Sequence, residues 1–167
     1  MSKEKGSVIL AKMLQGYGLT HLFYVEQMLR RTMLELEKVG IHRVVTHSEK
    51  AAAYMADGYS RAGRRPSVCM AQSVGAANLA SGLQDAYLGR SPVIAITGAH
   101  GTGYRYRNAY QELENHWPLF EPVTKYNASE QWAGFGTWAL DGSANYEEMK
   151  FLVYQDEIGR ASCRERV

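Results

Sequence analysis

Long apolar runs are missing from this chain: none of its stretches comes near the roughly 20 residues that a membrane span requires. The N-terminal MSKEKGSVILAKMLQ holds one short apolar patch, broken by Lys12, and nothing in it directs secretion or anchoring. Cysteine is scarce as well. Cys69 inside an apolar run and Cys163 near the end make no disulfide framework, which points to a reducing, cytoplasmic setting. Charge of one sign is also lacking. With 19 Lys and Arg against 17 Asp and Glu, the formal net charge is +2, so no large field speaks for nucleic acid or a membrane as partner. The five histidines show no H-x-x-x-H or similar spacing, and surface or core roles are expected of them rather than metal binding. The loop GAHGTGYRYRN (98–108) has neither the GK[ST] of a P-loop nor G-x-G-x-x-G spacing, and it follows a late strand, which speaks against dinucleotide binding. Its Arg105 and Arg107, interleaved with Tyr104 and Tyr106, are too short a patch to argue for nucleic acid.

What the chain does have is enough apolar material, 46% of 167 residues, for one domain with a sizeable core. Four runs have strand character: HLFYV (21–25), HRVVTH (42–47), SVCMA (67–71) and PVIAITG (92–98). Helical patterns separate them, over about residues 7–16, 28–39, 49–62 and 76–88, with Gly40 standing where the second would stop. The alternation reads as βαβ units. Because the strand runs are nearly continuous in apolar residues, both sheet faces should be covered, giving an α/β fold with three layers, α/β/α, around a mostly parallel sheet. Binding groups should then collect where strands end and helices begin, at Tyr24–Met28, Thr46–Glu49, Gln72–Gly75 and Gly98–Tyr106.

One of those junctions carries an acid. Glu49 opens the third helix, where a carboxylate is favoured by the helix dipole whatever its function. Glu49, Ala52, Ala53 and Ala56 also share one helical face, and such small side chains let something large come close. An acid against that surface would lose water, its neutral form would be favoured, and it would serve as a proton donor to a bound group. From local pattern alone both readings stand.

The run E-x-A-A-x-x-x-A-D-G-Y-x-R (49–61), then QSVGAANLASGLQDAY (72–87), SPVIAITG (91–98) and AYQELENHWPLFEPVTKYN (109–127), resembles the N-terminal pyrimidine-binding domain of thiamine diphosphate-dependent enzymes. Within that superfamily the acetolactate synthase group is the most similar. The resemblance covers about residues 5–128, with the blocks in the family's order, and implies a flavodoxin-like domain. It implies that Glu49 is the catalytic glutamate, which hydrogen-bonds the N1′ nitrogen of the cofactor's aminopyrimidine and shares a proton there. It implies cofactor contacts for Val74, Gly75, Ala76 and Asn78, in a loop usually written G-P-G-A-T-N, and for Gln111 in the AYQE block. Ser73 and Val74 depart from that loop's glycine and proline, and Tyr24-Val25-Glu26-Gln27 departs from a common G-x-P-G turn beside the cofactor, as in a divergent subgroup with altered substrate access.

The function implied is the pyrimidine-binding half of a 2-oxo acid decarboxylase or carboligase, with a small 2-oxo acid as substrate and no nucleic acid or membrane partner. Magnesium and the cofactor's diphosphate belong to a separate domain or subunit with a G-D-G...N motif, which this chain lacks. The complete enzyme is expected to be a homodimer or tetramer, and the chain alone is not expected to catalyse. Residues 157–167, EIGRASCRERV, resemble the translation of a sequencing adapter; without their three arginines and two glutamates the formal charge falls from +2 to +1. The expected organisation is therefore a pyrimidine-binding domain at 1–128, an irregular or chimeric tail at 129–156, an adapter-derived end at 157–167, and a truncated chain. The alternatives are a complete pyrimidine-domain subunit of a two-chain decarboxylase like sulfopyruvate decarboxylase, or a non-catalytic nucleotide-binding α/β module.

Overall fold

The side chains of consecutive strand residues point to opposite faces, and here both faces meet helices. The structure is a computed structural model that describes residues 5–25, 30–72, 74–100, 113, 115–129 and 147–154. In chain order the elements are α1 (Gly6–Gly16), β1 (His21–Tyr24), α2 (Arg30–Lys38), β2 (His42–Val45), α3 (Glu49–Gly63), β3 (Ser67–Ala71), α4 (Gly75–Leu88), β4 (Val93–His100), α5 (Trp117–Phe120), a 3-10 turn (Glu121–Val123), β5 (Tyr126–Ser129) and β6 (Glu147–Tyr154). The sheet order is β2-β1-β3-β4-β6-β5, with β1 to β4 mutually parallel and β6 antiparallel to both β4 and β5.

Leu22, Val68, Met70 and Ile96 face one way and join Leu10, Leu14, Met33 and Leu36 of α1 and α2 in one buried cluster. Their neighbours Phe23, Cys69, Ala71, Val93 and Ala95 face the other way, against Ala52, Ala53 and Ala56 of α3 and Leu79 and Leu83 of α4. Continuous apolar strands are what two helical layers demand, so the three-layer α/β/α architecture read from the sequence is the one observed. Gly40 lies at φ +78° just past α2, with the Ile41 N–H donating to the Leu36 carbonyl at 2.9 Å and its own N–H to Glu37 at 3.0 Å. That is the left-handed helix stop expected of it.

Within the stretch expected as an irregular or chimeric tail (129–156), Glu147–Tyr154 form β6, which pairs with the full length of β4 from Tyr154 opposite Val93 to Glu147 opposite His100. β5 (Tyr126–Ser129) in turn crosses the expected boundary at 128 by one residue. The segment KFLVY within β6 has strand propensity, but no helical sequence pattern accompanies it, so the βα rhythm that marks the other strands is absent. Residues 157–167, the loop at 101–110, Glu26, Gln27, Ser73 and Gln111 lie outside the described residues.

At the amino edge of the sheet, His21 and His42 face each other in the β1–β2 register, their ring centroids 5.1 Å apart, with the Tyr59 ring of α3 at 4.6 Å from His21. The Thr20 hydroxyl joins them, 2.6 Å from the Tyr59 hydroxyl and 3.0 Å from His21 Nδ1. Burial, and then the neighbouring His42 and Arg65, hold the His21 imidazole below its usual value of 6.5. In the unfolded chain His21 recovers that ordinary affinity, so around and below this pH the unfolded state binds more protons than the native one. Stability contributed here is thus full above about pH 6.5 and is lost as pH falls through that value towards the lowered native one. Denaturant midpoints between pH 7.5 and 5 are expected to fall, and His21→Phe, which keeps the ring stack, is expected to flatten that slope; an unchanged slope in the variant would show that other groups cause it.

Candidate active site at the carboxyl edge of the sheet

Strand order 2-1-3-4 reverses direction between β1 and β3, and the crevice beyond the carboxyl ends of such strands is where open α/β sheets bind ligands. Two helices on the same sheet face start at this edge, α3 after β2 and α4 after β3, and their first residues are Glu49 and Gly75. α3 begins there because Ser48, extended at φ −158° and ψ 159°, accepts the Ala51 N–H on its hydroxyl oxygen at 3.1 Å.

The first turns of α3 and α4 bring Glu49, Gly75 and Asn78 together. Asn78 donates its side-chain amide to Glu49 Oε2 at 3.2 Å, across 29 residues of sequence. The other carboxylate oxygen lies over Gly75: a Cβ built there would stand 2.6 Å from Oε1 and 3.0 Å from the Cδ and Cγ of Glu49. Only a residue without a side chain leaves that space. Glu49 is half-buried, Asn78 is exposed, and the positive ends of two helices converge on the carboxylate.

The remaining expected contacts are placed differently. Val74 is 46% exposed at the lip of the crevice, while Ala76 is fully buried, its methyl in the core cluster rather than in the crevice. The alanine face of α3 is corrected too. Ala52, Ala53 and Ala56 have no exposed surface, and what comes close to them is protein, namely β-strands and α4. At Gly82 of α4 a Cβ would stand 2.7 Å from the Ala53 Cβ and 2.7 Å from the Lys50 carbonyl oxygen. Small residues here seat one helix on another, and the space beside Glu49 comes from Gly75 instead.

The second half of the E-x-A-A-x-x-x-A-D-G-Y-x-R run is a staple. Asp57, buried, accepts from Arg61 Nε at 2.8 Å and from the Ser91 hydroxyl. Arg61 also donates from Nη2 to the Asp85 carbonyl at 2.9 Å, so α3 is bound to the end of α4 and the start of β4. The hydrogen bond to Asp57 pushes the guanidinium of Arg61 further up from its already high value. Thr46 and Ser48 lie in the Thr46–Glu49 junction where binding groups were expected, but neither was given a role; a serine directly before the first helical residue is an N-cap pattern and was the available signal for Ser48. Among the described residues no group of three or more His, Cys, Asp or Glu side chains is arranged to hold a metal ion, and no helix is long and apolar enough to cross a membrane.

Fold and site together define a doubly wound α/β domain that presents an acid, held by an asparagine, at the strand-order reversal. The chain belongs to the family described as thiamine pyrophosphate enzyme, N-terminal TPP binding domain, whose model matches residues 4–117. It is 36% identical over 125 residues to a probable acetolactate synthase large subunit of Methanocaldococcus jannaschii, covering 74% of this chain and 21% of that one. To the acetolactate synthase of Bacillus subtilis it is 32% identical over 131 residues, covering 77% and 23% respectively. The chain thus spans about a fifth of the length of these curated relatives. Its fold matches that of a Rhodococcus jostii RHA1 thiamine diphosphate-dependent 4-hydroxybenzoylformate decarboxylase with a TM-score of 0.68 at 19% identity, over 76% of this chain and 24% of that one.

Proposed function

We propose that residues 1–128 bind the aminopyrimidine of thiamine diphosphate in the crevice between the first turns of α3 and α4, as one half of an acetolactate synthase-like decarboxylase or carboligase acting on a 2-oxo acid. The observation that carries this is the Glu49 carboxylate, held on one oxygen by Asn78 and set over the side-chain-free Gly75. The residues present suit the group. A flat heteroaromatic ring needs a backbone it can approach closely and a protonatable oxygen at its edge, and Gly75 and Glu49 offer these side by side. When bound, thiamine diphosphate supplies the electron sink by which 2-oxo acids lose carbon dioxide.

On this reading Glu49 holds a proton at the pyrimidine N1′, and Asn78 keeps the carboxylate from swinging away. Val74, exposed at the lip, lies against the ring edge, and Gly75 and Ala76 contribute backbone. Gln111 completes the set from the AYQE block. Magnesium and the diphosphate are held by a further domain or subunit, and the assembled enzyme is a homodimer or tetramer in the cytoplasm. Calorimetric titration of this chain assembled with that domain or subunit tests the reading: thiamine diphosphate with magnesium is expected to bind at one site per copy, and the absence of heat would reject it.

A further inference from the structure

Thr46 lies between β2 and α3 and is 8% exposed. Its N–H donates to the Tyr24 carbonyl at 2.8 Å, carrying the β1–β2 ladder one residue past β2. Its hydroxyl lies 2.8 Å from the Ser48 carbonyl and 3.2 Å from the Tyr24 carbonyl. One hydroxyl has one proton, so the nearer Ser48 oxygen takes most of it and the Tyr24 oxygen forms the second arm. The Ser48 carbonyl is also the acceptor of the first helical bond of α3, from the Ala52 N–H at 3.0 Å. A single nearly buried side chain therefore joins the carboxyl end of β1, where the strand order reverses, to the N-cap that immediately precedes Glu49.

From this we infer that Thr46 is a positioning residue for Glu49. It sets where the first turn of α3 stands relative to β1, and through that turn it holds the carboxylate in the gap that Gly75 leaves. The tolerance is narrow. The Asn78 bond to Glu49 is already 3.2 Å, so a displacement of α3 by a few tenths of an ångström ends it. In Thr46→Val a methyl group replaces the donor; the Tyr24 and Ser48 carbonyls keep their backbone donors, the Thr46 and Ala52 N–H groups, so what is lost is the side-chain tie that fixes the N-cap of α3 against β1.

The inference rests on the reading of Glu49 above, and the experiment separates the two. The probe is 4-amino-2-methylpyrimidine, titrated into the isotope-labelled chain with the amide signals of Glu49, Gly75 and Asn78 followed by NMR. Thr46→Val is expected to weaken the probe's affinity about three- to tenfold, the loss of one part-buried hydrogen bond, and Thr46→Ser to restore it. Unfolding midpoints are measured alongside, because a merely structural role would lower the midpoint of Thr46→Val while leaving the folded chain's affinity for the probe unchanged. That result, or failure of the serine variant to restore binding, would overturn the positioning role. A wild-type chain whose signals ignore the probe would instead remove the reading of Glu49, and the inference with it.

Discussion

Gly75→Ala is expected to leave the fold standing and to take away the proposed pyrimidine site. The new methyl would stand 2.6 Å from Glu49 Oε1, closer than any side-chain carbon sits, so something must move. What it meets is the far end of a flexible side chain rather than backbone, and the inexpensive response is for the carboxylate to rotate out. Gly75 is the first residue of α4 and alanine is the better helix former, so the helix itself loses nothing. The cost falls on the site: the Asn78 bond at 3.2 Å is broken, and the space proposed for a ring is occupied by a methyl and a displaced carboxylate. Affinity for thiamine diphosphate in the assembled protein should fall at least about tenfold, a difference of about 1.4 kcal/mol, while the thermal midpoint stays within a few degrees of wild type. The contrast with Gly82 sharpens the point. There the obstacle includes the Lys50 carbonyl oxygen, which cannot swing aside, and the helix pair itself would have to part. Wild-type affinity in Gly75→Ala would mean that the carboxylate was never held where the cofactor needs it.

The first four strands and four helices were legible because burial on two faces writes itself into local sequence, as runs of apolar residues for β1, β3 and β4 and three-to-four spacing for the helices between them. Glu49 was legible as a position and half-legible as chemistry. Spacing says that Glu49, Ala52, Ala53 and Ala56 share a face, but a stripe of small residues marks close approach without saying what approaches, and the answer here is α4. The pair that makes the site, Asn78 on Glu49, joins residues 29 apart on two helices, and no local period encodes that distance. Thr46 was legible as part of a strand-to-helix junction but not in its role, for the same reason, its partner Tyr24 being on the neighbouring strand. β6 was missed on other grounds: an antiparallel strand added to β4 belongs to no βαβ unit and so breaks the rhythm by which the other strands were found.

Glu49→Gln separates holding the ring from moving its proton. Glutamine has the length and shape of glutamate, its amide oxygen can still accept from Asn78, and the gap over Gly75 admits it as well as it admits the carboxylate. Fold and cofactor affinity are therefore expected to change little. What the amide cannot do is take up and release a proton, and under the proposed function that is the one task left to this side chain. Positioned proton transfer contributes about 10²- to 10⁴-fold in enzymes, so exchange of the bound cofactor's C2 proton for deuterium, followed by quenched-flow NMR in the assembled protein, should slow by a factor in that range. Turnover should slow with it wherever that step limits the rate. Gly75→Ala and Glu49→Gln then fail differently, the first by losing the cofactor and the second by keeping it inert. Should the glutamine variant exchange at the wild-type rate, Glu49 is only a first-turn acid of α3, stabilised by the helix dipole as the sequence also allowed.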